Sequence, residues 1–256
     1  MVDIYQEIVR IKEKGGEAAL VTIVSASGST PREEGTKMLV KPDGSIIGTV
    51  GGGGLEAQVI EEAVKVIKQA KPRRFHMSLT AKEAEESGMI CGGELDVFIE
   101  PILTAPTMYI FGGGHISLPL AQMGKMLGFD VAVIDDRAEF ANAERFPEAE
   151  TVIAADFNES FAQLKIDKSS YIVIVTRGHQ HDELVLEWAI TTPAKYIGMI
   201  GSKTKVQTTY DHLLAKGVPQ KTLDAVFSPI GLAIGAQAPE EIAVSIMAEI
   251  IKVRRT

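Results

Sequence analysis

The chain has 256 residues, of which 45% are hydrophobic and 23% are charged, a composition typical of a soluble globular protein with room for two domains. Its net charge of -8 disfavours a general nucleic-acid or anionic-membrane binder, because such proteins depend on clustered lysines and arginines. The single cysteine excludes an intrachain disulfide. Together with an acidic N-terminus that lacks the features of a secretory signal, it predicts a cytoplasmic protein.

The part of the chain before Pro101 predicts a small α/β domain. Isoleucines at helical spacing predict an amphipathic first helix, and apolar, β-branched runs predict strands, with a hairpin turn at Pro42-Asp43-Gly44. Two prolines between residues 101 and 106 end this domain, so the predicted domains span residues 1–103 and 104–256. The predicted strands are 18–25, 36–40, 46–50, 73–79 and 94–100, and the predicted helices are 2–14, 55–69 and, from a polar stretch, 81–87.

The second part of the chain predicts a Rossmann-like fold. Strands and helices alternate along it, which is typical of a doubly wound parallel sheet. The predicted strands are 107–111, 130–134, 151–153, 171–175 and 196–200, with 225–227 as a candidate last strand. The predicted helices are 115–127, 158–164, 181–191, 203–215 and 239–253.

A glycine turn follows the first strand of this domain and predicts a phosphate-binding site. Gly112 permits the tight turn, Gly114 lets a phosphate approach the backbone, and Ser117 stands where a third glycine is usual. Asp135 ends the next strand, where an acid can bind a ribose hydroxyl. The pattern predicts either NAD(P) binding or a Rossmann fold that has lost its dinucleotide, because a fold does not fix a function.

Three histidines form a second candidate site in the same domain. His115 follows the first strand, and His179 and His181 follow the fourth, which is a neighbour of the first in the usual Rossmann strand order. With Asp182, these side chains could bind a divalent metal or carry protons. The alternative is that they cap helix starts and hydrogen-bond the backbone.

The strand end at residues 198–201 opens another helix and is a candidate anion site. Ser202 is a natural N-cap, and the free backbone N–H groups of a helix start favour an anion. Lys203 and Lys205 strengthen this expectation, although a solvated helix start also explains lysines there.

Three glycine-rich loops of the first domain, at residues 28–32, 51–56 and 91–94, are candidates for ligand binding. Four consecutive glycines cost roughly 0.5–1 kcal/mol of stability each relative to alanine, so close approach of the backbone to a planar or phosphorylated ligand is the favoured explanation. Cys91 is either a soft ligand or nucleophile, or a buried apolar residue. The predicted ligand-binding residues of these loops are Ser29, Arg32, Gly52, Gly53, Gly54, Glu56, Cys91, Gly92 and Gly93.

These motifs resemble those of the XdhC/CoxI family. The resemblance rests on residues 28–32, 48–56, 91–93, 98–101, 111–115, 178–182, 200–203 and 228–232, which occur in the family's order and extend nearly end to end. Family members are accessory proteins for xanthine dehydrogenase and related molybdenum hydroxylases. The resemblance implies a homodimeric, non-catalytic chaperone of purine catabolism that binds the molybdenum cofactor (molybdopterin), holds it during sulfuration by a cysteine desulfurase and inserts it into the apo-enzyme.

Three positions depart from the family pattern. Gly54 stands where many members have a cysteine, Ala233 replaces an acid, and Ala238 replaces a threonine N-cap, whereas a second common cysteine is kept as Cys91. The first two departures bear on ligand binding and sulfur handling. Two other functions remain as alternatives, an NAD(P)-dependent oxidoreductase that uses Asp135 and a metal-dependent hydrolase that uses the three histidines.

Overall fold

The computed structural model describes residues 3–28, 30, 32–78 and 93–255. The chain divides into two compact units, Met1–Thr104 and Ala105–Thr256, and both are α/β as predicted. The predicted helix at 81–87 lies outside the described residues. No helix in the described part combines the length and the apolar character needed to cross a membrane.

The first unit is built on an antiparallel sheet whose strand order is β3-β2-β1-β5-β4. Its elements are α1 (Ile4–Glu13), β1 (Ala18–Ser27), β2 (Lys37–Val40), β3 (Ile46–Gly48), α2 (Gly53–Gln69), β4 (Arg73–Ser78) and β5 (Glu94–Ile102). Side chains alternate across β1, because successive residues of a strand point to opposite faces. Val21 and Ile23 pack with the apolar stripe of α2, and Ala18 and Leu20 pack with the isoleucines of α1. Both faces of the central strand are therefore buried.

The second unit has a parallel sheet of order β10-β9-β6-β7-β8, which confirms the predicted Rossmann-like fold. Its first strand, β6, pairs with both β7 and β9, as expected for the first and fourth strands of this domain. Its strands are β6 (Thr107–Phe111), β7 (Asp130–Asp135), β8 (Thr151–Ala154), β9 (Ser170–Ile174) and β10 (Tyr196–Met199). Its helices are α3 (Ser117–Met126), α4 (Phe157–Phe161), α5 (His179–Ala189), α6 (Lys203–Ala215), α7 (Gln220–Leu223) and α8 (Pro239–Arg255).

Helices cover both faces of this parallel sheet. Met108 and Ile110 of β6 pack with residues of α3 and α8, whereas Tyr109 and Phe111 pack with residues of α5 and α6. A sheet buried on both faces explains why its strands are apolar runs rather than alternating patterns. Such a sheet is open to a ligand at its strand ends, which is where the candidate site residues of this unit lie.

The candidate strand at 225–227 is wrong. Phe227 forms an isolated bridge with Gly198, in which Phe227 donates its N–H to Ile197 O (2.9 Å) and accepts from Met199 N–H (3.0 Å). Pro229 follows two residues later and has no N–H to donate, so the ladder does not continue. The short helix α7 just before this bridge was not predicted.

Candidate functional site

The glycine turn of the second unit packs closely against the end of β9. Gly112 has φ +109° and donates its N–H to Ile134 O (2.7 Å). A Cβ atom at Gly112 would lie 2.4 Å from Val175 O, so only glycine fits there. The buried Ser117 donates its hydroxyl to Gly112 O. The serine in place of the third glycine therefore closes the turn.

A segment following β7 covers the middle of the turn. A Cβ atom at Gly113 would lie 2.2 Å from Phe140 O, and Arg145 Nε donates to Gly113 O at 3.1 Å. The Arg137 guanidinium lies 3.6 Å from the centre of the Phe140 ring. Among the described residues, by contrast, no heavy atom lies within 4 Å of a Cβ placed on Gly114. The turn is thus open to a ligand at Gly114 and closed at Gly113.

Asp135 holds this turn in place. It is 2% exposed, and its carboxylate accepts the Gly113 N–H (2.8 Å) and the Arg137 backbone N–H (3.0 Å). It also accepts Arg137 Nε (2.9 Å) and Nη2 (3.0 Å). Two carboxylate oxygens offer about four acceptor sites, so these bonds use them all. These bonds give Asp135 a role other than the predicted one, and a ribose hydroxyl would have to displace Arg137 or Gly113 to bind it.

The same hydrogen bonds make stability sensitive to acid. Burial raises the pKa of Asp135, but hydrogen bonds from Arg137 and Gly113 outweigh it, and the pKa is lowered overall. Because the folded-state pKa lies below the unfolded value of about 3.9, this stabilisation is present above about pH 4 and is lost as pH falls through the folded pKa. We expect Asp135→Asn to cost about 1–3 kcal/mol at neutral pH and to flatten the decline in unfolding free energy as the solution is acidified.

Urea unfolding of both proteins between about pH 7 and about pH 3 measures this effect. Asp136→Asn is the control for loss of a negative charge nearby, since Asp136 pairs with the half-exposed Arg177 at 2.6 Å and reaches Arg137 only at 3.8 Å, beyond hydrogen-bond distance. Parallel pH curves for the wild type and Asp135→Asn would contradict the prediction.

The histidines and Asp182 do not form a metal site. His179 and His181 lie in the first turn of α5, and the His181 ring packs edge-on against Phe157 at a centroid distance of 5.4 Å. No three His, Cys, Asp or Glu side chains in the described part of the chain form a group that could hold a metal ion. The candidate cluster of His115, His179, His181 and Asp182 is therefore not brought together in the described structure.

Asp182 is instead a buried link between two helix starts. It is fully buried and accepts from the N–H (3.1 Å) and hydroxyl (2.5 Å) of Thr176 at the end of β9. It also accepts from Lys205 Nζ at 2.5 Å, which joins α5 to α6. Ser202 caps α6 as predicted, since its hydroxyl accepts the Lys205 N–H at 3.2 Å. Lys203 is exposed at the first position of that helix, whereas Lys205 makes the contact with the buried Asp182.

The glycine loop of the first unit has an open side. Gly52 and Gly53 have φ values of +88° and +63°, and no described heavy atom lies within 4 Å of a Cβ placed on either. Gly52 is also the N-cap of α2 and offers no side chain to cap it, and Gly54 is exposed in the first turn. The backbone N–H groups of a helix's first turn have no partner within the helix. An anionic ligand can therefore reach the loop backbone.

Glu56 lies behind this loop. Its carboxylate accepts from the Thr49 hydroxyl and from Val50 N–H (3.3 Å), and Thr49 Oγ1 accepts the Gly51 N–H at 3.1 Å. Glu56 thus supports the loop conformation, a role that differs from the predicted ligand contact. Thr49, which sequence reasoning did not select, completes the support from the end of β3.

The other loops of this unit are only partly described. Arg32 is exposed, and its carbonyl accepts from the Thr30 hydroxyl at 3.1 Å, so its guanidinium remains a candidate anion ligand. Gly93 is buried just before β5. Three predicted site residues, Ser29, Cys91 and Gly92, lie outside the described residues.

Both units match known protein families. Residues 11–78 match the XdhC and CoxI family, and residues 108–250 match the XdhC Rossmann domain. The chain belongs to the XdhC and CoxI family.

Named relatives give this family assignment its context. The chain is 37% identical over 99% of its length to the uncharacterized protein YqeB of Escherichia coli, and 33% identical over 62% to a probable xanthine dehydrogenase subunit of Bacillus subtilis. It spans about half of each relative, 46% in both cases. It is also 23% identical to PaoD of Escherichia coli, a molybdenum cofactor insertion chaperone, over 94% of this chain and 84% of PaoD.

One solved structure has the same fold along nearly the whole chain. It is a Bacillus halodurans protein described as a xanthine dehydrogenase, with a TM-score of 0.54 and 24% sequence identity. The alignment covers 98% of this chain and 95% of that one. At this identity the likeness supports the fold alone.

Proposed function

We propose that this chain is an accessory protein of a xanthine dehydrogenase or a related molybdenum hydroxylase. In this proposal it binds the molybdenum cofactor as cargo, holds it while a cysteine desulfurase sulfurates it, and passes it to the apo-enzyme. The observation that carries the proposal is the likeness to PaoD, named as a molybdenum cofactor insertion chaperone, along most of both chains.

The open glycine loop at the start of α2 supports this proposal. A pterin cofactor carries a phosphate, and the first turn of a helix offers backbone N–H groups and a partial positive charge to such a group. Gly52 and Gly53 leave this backbone uncovered by side chains. Contacts through the backbone also need no thiol at position 54, so the loss of the family's common cysteine there is compatible with cofactor binding.

The alternative functions lack comparable support. A dinucleotide would have to compete with Arg137 for Asp135, whose carboxylate is already saturated with donors. A metal-dependent hydrolase would need the histidine cluster that the described residues do not form. A binding protein without catalytic chemistry of its own therefore remains the function that the site supports best.

The substitution Gly53→Ala tests the loop directly. A methyl group there would stand in the open space before the helix start and hinder a ligand's approach to the backbone. We expect its affinity for the molybdenum cofactor to fall about tenfold or more, as for the loss of one hydrogen bond to a charged group. The measurement is the fluorescence of the oxidised pterin that the protein retains after incubation with the cofactor and gel filtration.

Gly15→Ala is the matched control. Gly15 has φ +68°, close to the +63° of Gly53, and no described heavy atom lies within 4 Å of a Cβ placed on it either. Both variants therefore carry the same backbone strain, and only Gly53→Ala should lose cofactor. Wild-type protein loaded with cofactor should also increase the yield of active enzyme from an apo molybdenum hydroxylase. Equal cofactor retention by the two variants would contradict the proposal. So would the absence of any effect of the cofactor-loaded wild type on the apo-enzyme.

A further inference from the structure

Arg137 lies where the nucleoside of a dinucleotide would lie in a Rossmann fold. In such folds an acid at the end of the second strand binds the adenosine ribose, and here that acid is Asp135 at the end of β7. The Arg137 guanidinium meets it as a fork, with Nε 2.9 Å from Oδ1 and Nη2 3.0 Å from Oδ2. The two adjacent hydroxyls of a ribose can also place one donor on each oxygen of a carboxylate. Arg137 therefore makes the contacts that a ribose would make.

The same guanidinium covers an aromatic face. Its central carbon lies 3.6 Å from the centre of the Phe140 ring, which is the separation of stacked planar groups. Nucleobases stack on aromatic side chains in the same way. The Arg137 side chain is only 23% exposed, so it is held between the carboxylate and the ring. Its edge thus replaces a ribose and its face replaces a base.

The turn that carries Arg137 does not depend on the guanidinium. The Arg137 carbonyl accepts the N–H groups of Phe140 (2.9 Å) and Ala141 (3.0 Å), and Ala141 is buried. The side-chain amide of Asn142 donates to two further carbonyls of the turn at 3.0 and 3.1 Å. Truncation of the Arg137 side chain therefore leaves the backbone bonds of this turn in place.

We propose that Arg137 sets the ligand specificity of the second unit, because it excludes nucleotides with a free ribose diol from Asp135. Without its side chain, each carboxylate oxygen keeps one backbone donor, from Gly113 or residue 137, and regains one acceptor site. The two regained sites accept the two ribose hydroxyls, and the uncovered Phe140 ring accepts the base. The open backbone at Gly114 leaves room for the pyrophosphate. Arg137→Ala should therefore create an adenine dinucleotide site that the wild type lacks.

Titration of the full chain with NADH, followed by nicotinamide fluorescence, tests this proposal. We expect Arg137→Ala to bind NADH at least about tenfold more tightly than the wild type, as for the gain of hydrogen bonds to a charged acceptor. NADPH carries a phosphate on the 2′-oxygen, which the uncovered Asp135 carboxylate repels. The gain in affinity for NADPH should therefore stay below about twofold.

Arg177→Ala is the matched control. Arg177 follows β9 at the same edge of the sheet and pairs with Asp136 at 2.6 Å, so this variant also removes one positive charge. It leaves Arg137 on Asp135, and its NADH affinity should stay within about twofold of the wild type. A second test variant, Arg137→Lys, keeps the positive charge but loses the planar fork, and we expect a gain of at least about threefold.

Three results would each overturn the proposal. They are equal NADH affinity of the wild type and Arg137→Ala, an equal gain in Arg177→Ala, and an equal gain for NADPH. Circular dichroism checks that each variant is folded. If Arg137→Ala does not fold, Arg137→Lys decides, and the absence of a gain there contradicts the proposal. The glycine loop of the first unit takes no part in this contact, so a failed cofactor-retention experiment with Gly53→Ala leaves the NADH result unaffected.

Discussion

The substitution Gly112→Ala is expected to lower the free energy of unfolding of the second unit by about 3–5 kcal/mol. Two effects add. Gly112 has φ +109°, a conformation that an L-residue adopts only under strain, and its Cβ would lie 2.4 Å from Val175 O and 2.8 Å from Val175 C. These neighbours are backbone atoms at the end of the central sheet, which cannot turn aside as a side chain can. Urea unfolding followed by circular dichroism measures the loss.

Gly114→Ala is the control for this variant. It lies in the same turn, but no described heavy atom lies within 4 Å of a Cβ placed on Gly114, and its φ is outside the left-handed region. We expect a change within about 0.5 kcal/mol. Similar losses in the two variants would mean that the turn tolerates a side chain at Gly112, in contradiction to the close approach of β9.

The sequence predicts the fold of this chain well because its main signals are local. Apolar runs bounded by glycines and prolines mark the strands, and helical spacing marks α1, α2 and α8. The right-handed crossover between parallel strands then limits the strand order, so the neighbourhood of β6 and β9 follows from the alternation alone. Residues 225–227 predict a strand because their apolar pattern is the same whether one residue or several pair with the neighbouring strand. In the structure only Phe227 forms a bridge, with Gly198.

The candidate sites were predicted less well, because a motif records backbone spacing and not the partners of each side chain. Asp135 occupies the position of a ribose ligand, but Arg137, two residues later, folds back and saturates its carboxylate. No feature of the glycine motif itself anticipates this. An arginine two residues after the acid is the one sequence signal that indicates an ion pair within the protein in place of a ribose contact.

The glycine-rich loop at residues 51–56 is a second case in which the sequence does not show the local conformation. Four consecutive glycines predict a ligand-binding loop, since their conformational cost needs an explanation. The structure offers a further one, because Gly51, Gly52 and Gly53 all have positive φ. The turn into α2 therefore requires glycines by itself, and what points to a ligand is the open space before Gly52 and Gly53.

The substitution Asp182→Ala is expected to cost about 3 kcal/mol or more, although Asp182 has the sequence position of a catalytic or metal-binding acid. Its carboxylate accepts three hydrogen bonds in a fully buried position, so its loss leaves the Thr176 N–H without its acceptor and the Thr176 hydroxyl with Gly178 O (3.2 Å) alone. Lys205 loses a partner too, but its side chain is 27% exposed and can reach water. Thermal and urea unfolding measure the effect.

Asp136→Ala separates this effect from the loss of any acid at the strand ends. Asp136 pairs with Arg177, which is 48% exposed, at 2.6 Å and with Arg137 only at 3.8 Å, and such exposed pairs contribute about 0–1 kcal/mol. Lys205→Met should also destabilise, and Asp182→Ala combined with Lys205→Met should cost less than the two single losses together, because the residues form one network. Additive losses would contradict a direct link between Asp182 and Lys205. A stable Asp182→Ala protein that fails only in cofactor binding would instead assign Asp182 to the ligand. Loss of a structural acid lowers stability, whereas loss of a ligand-binding acid lowers binding.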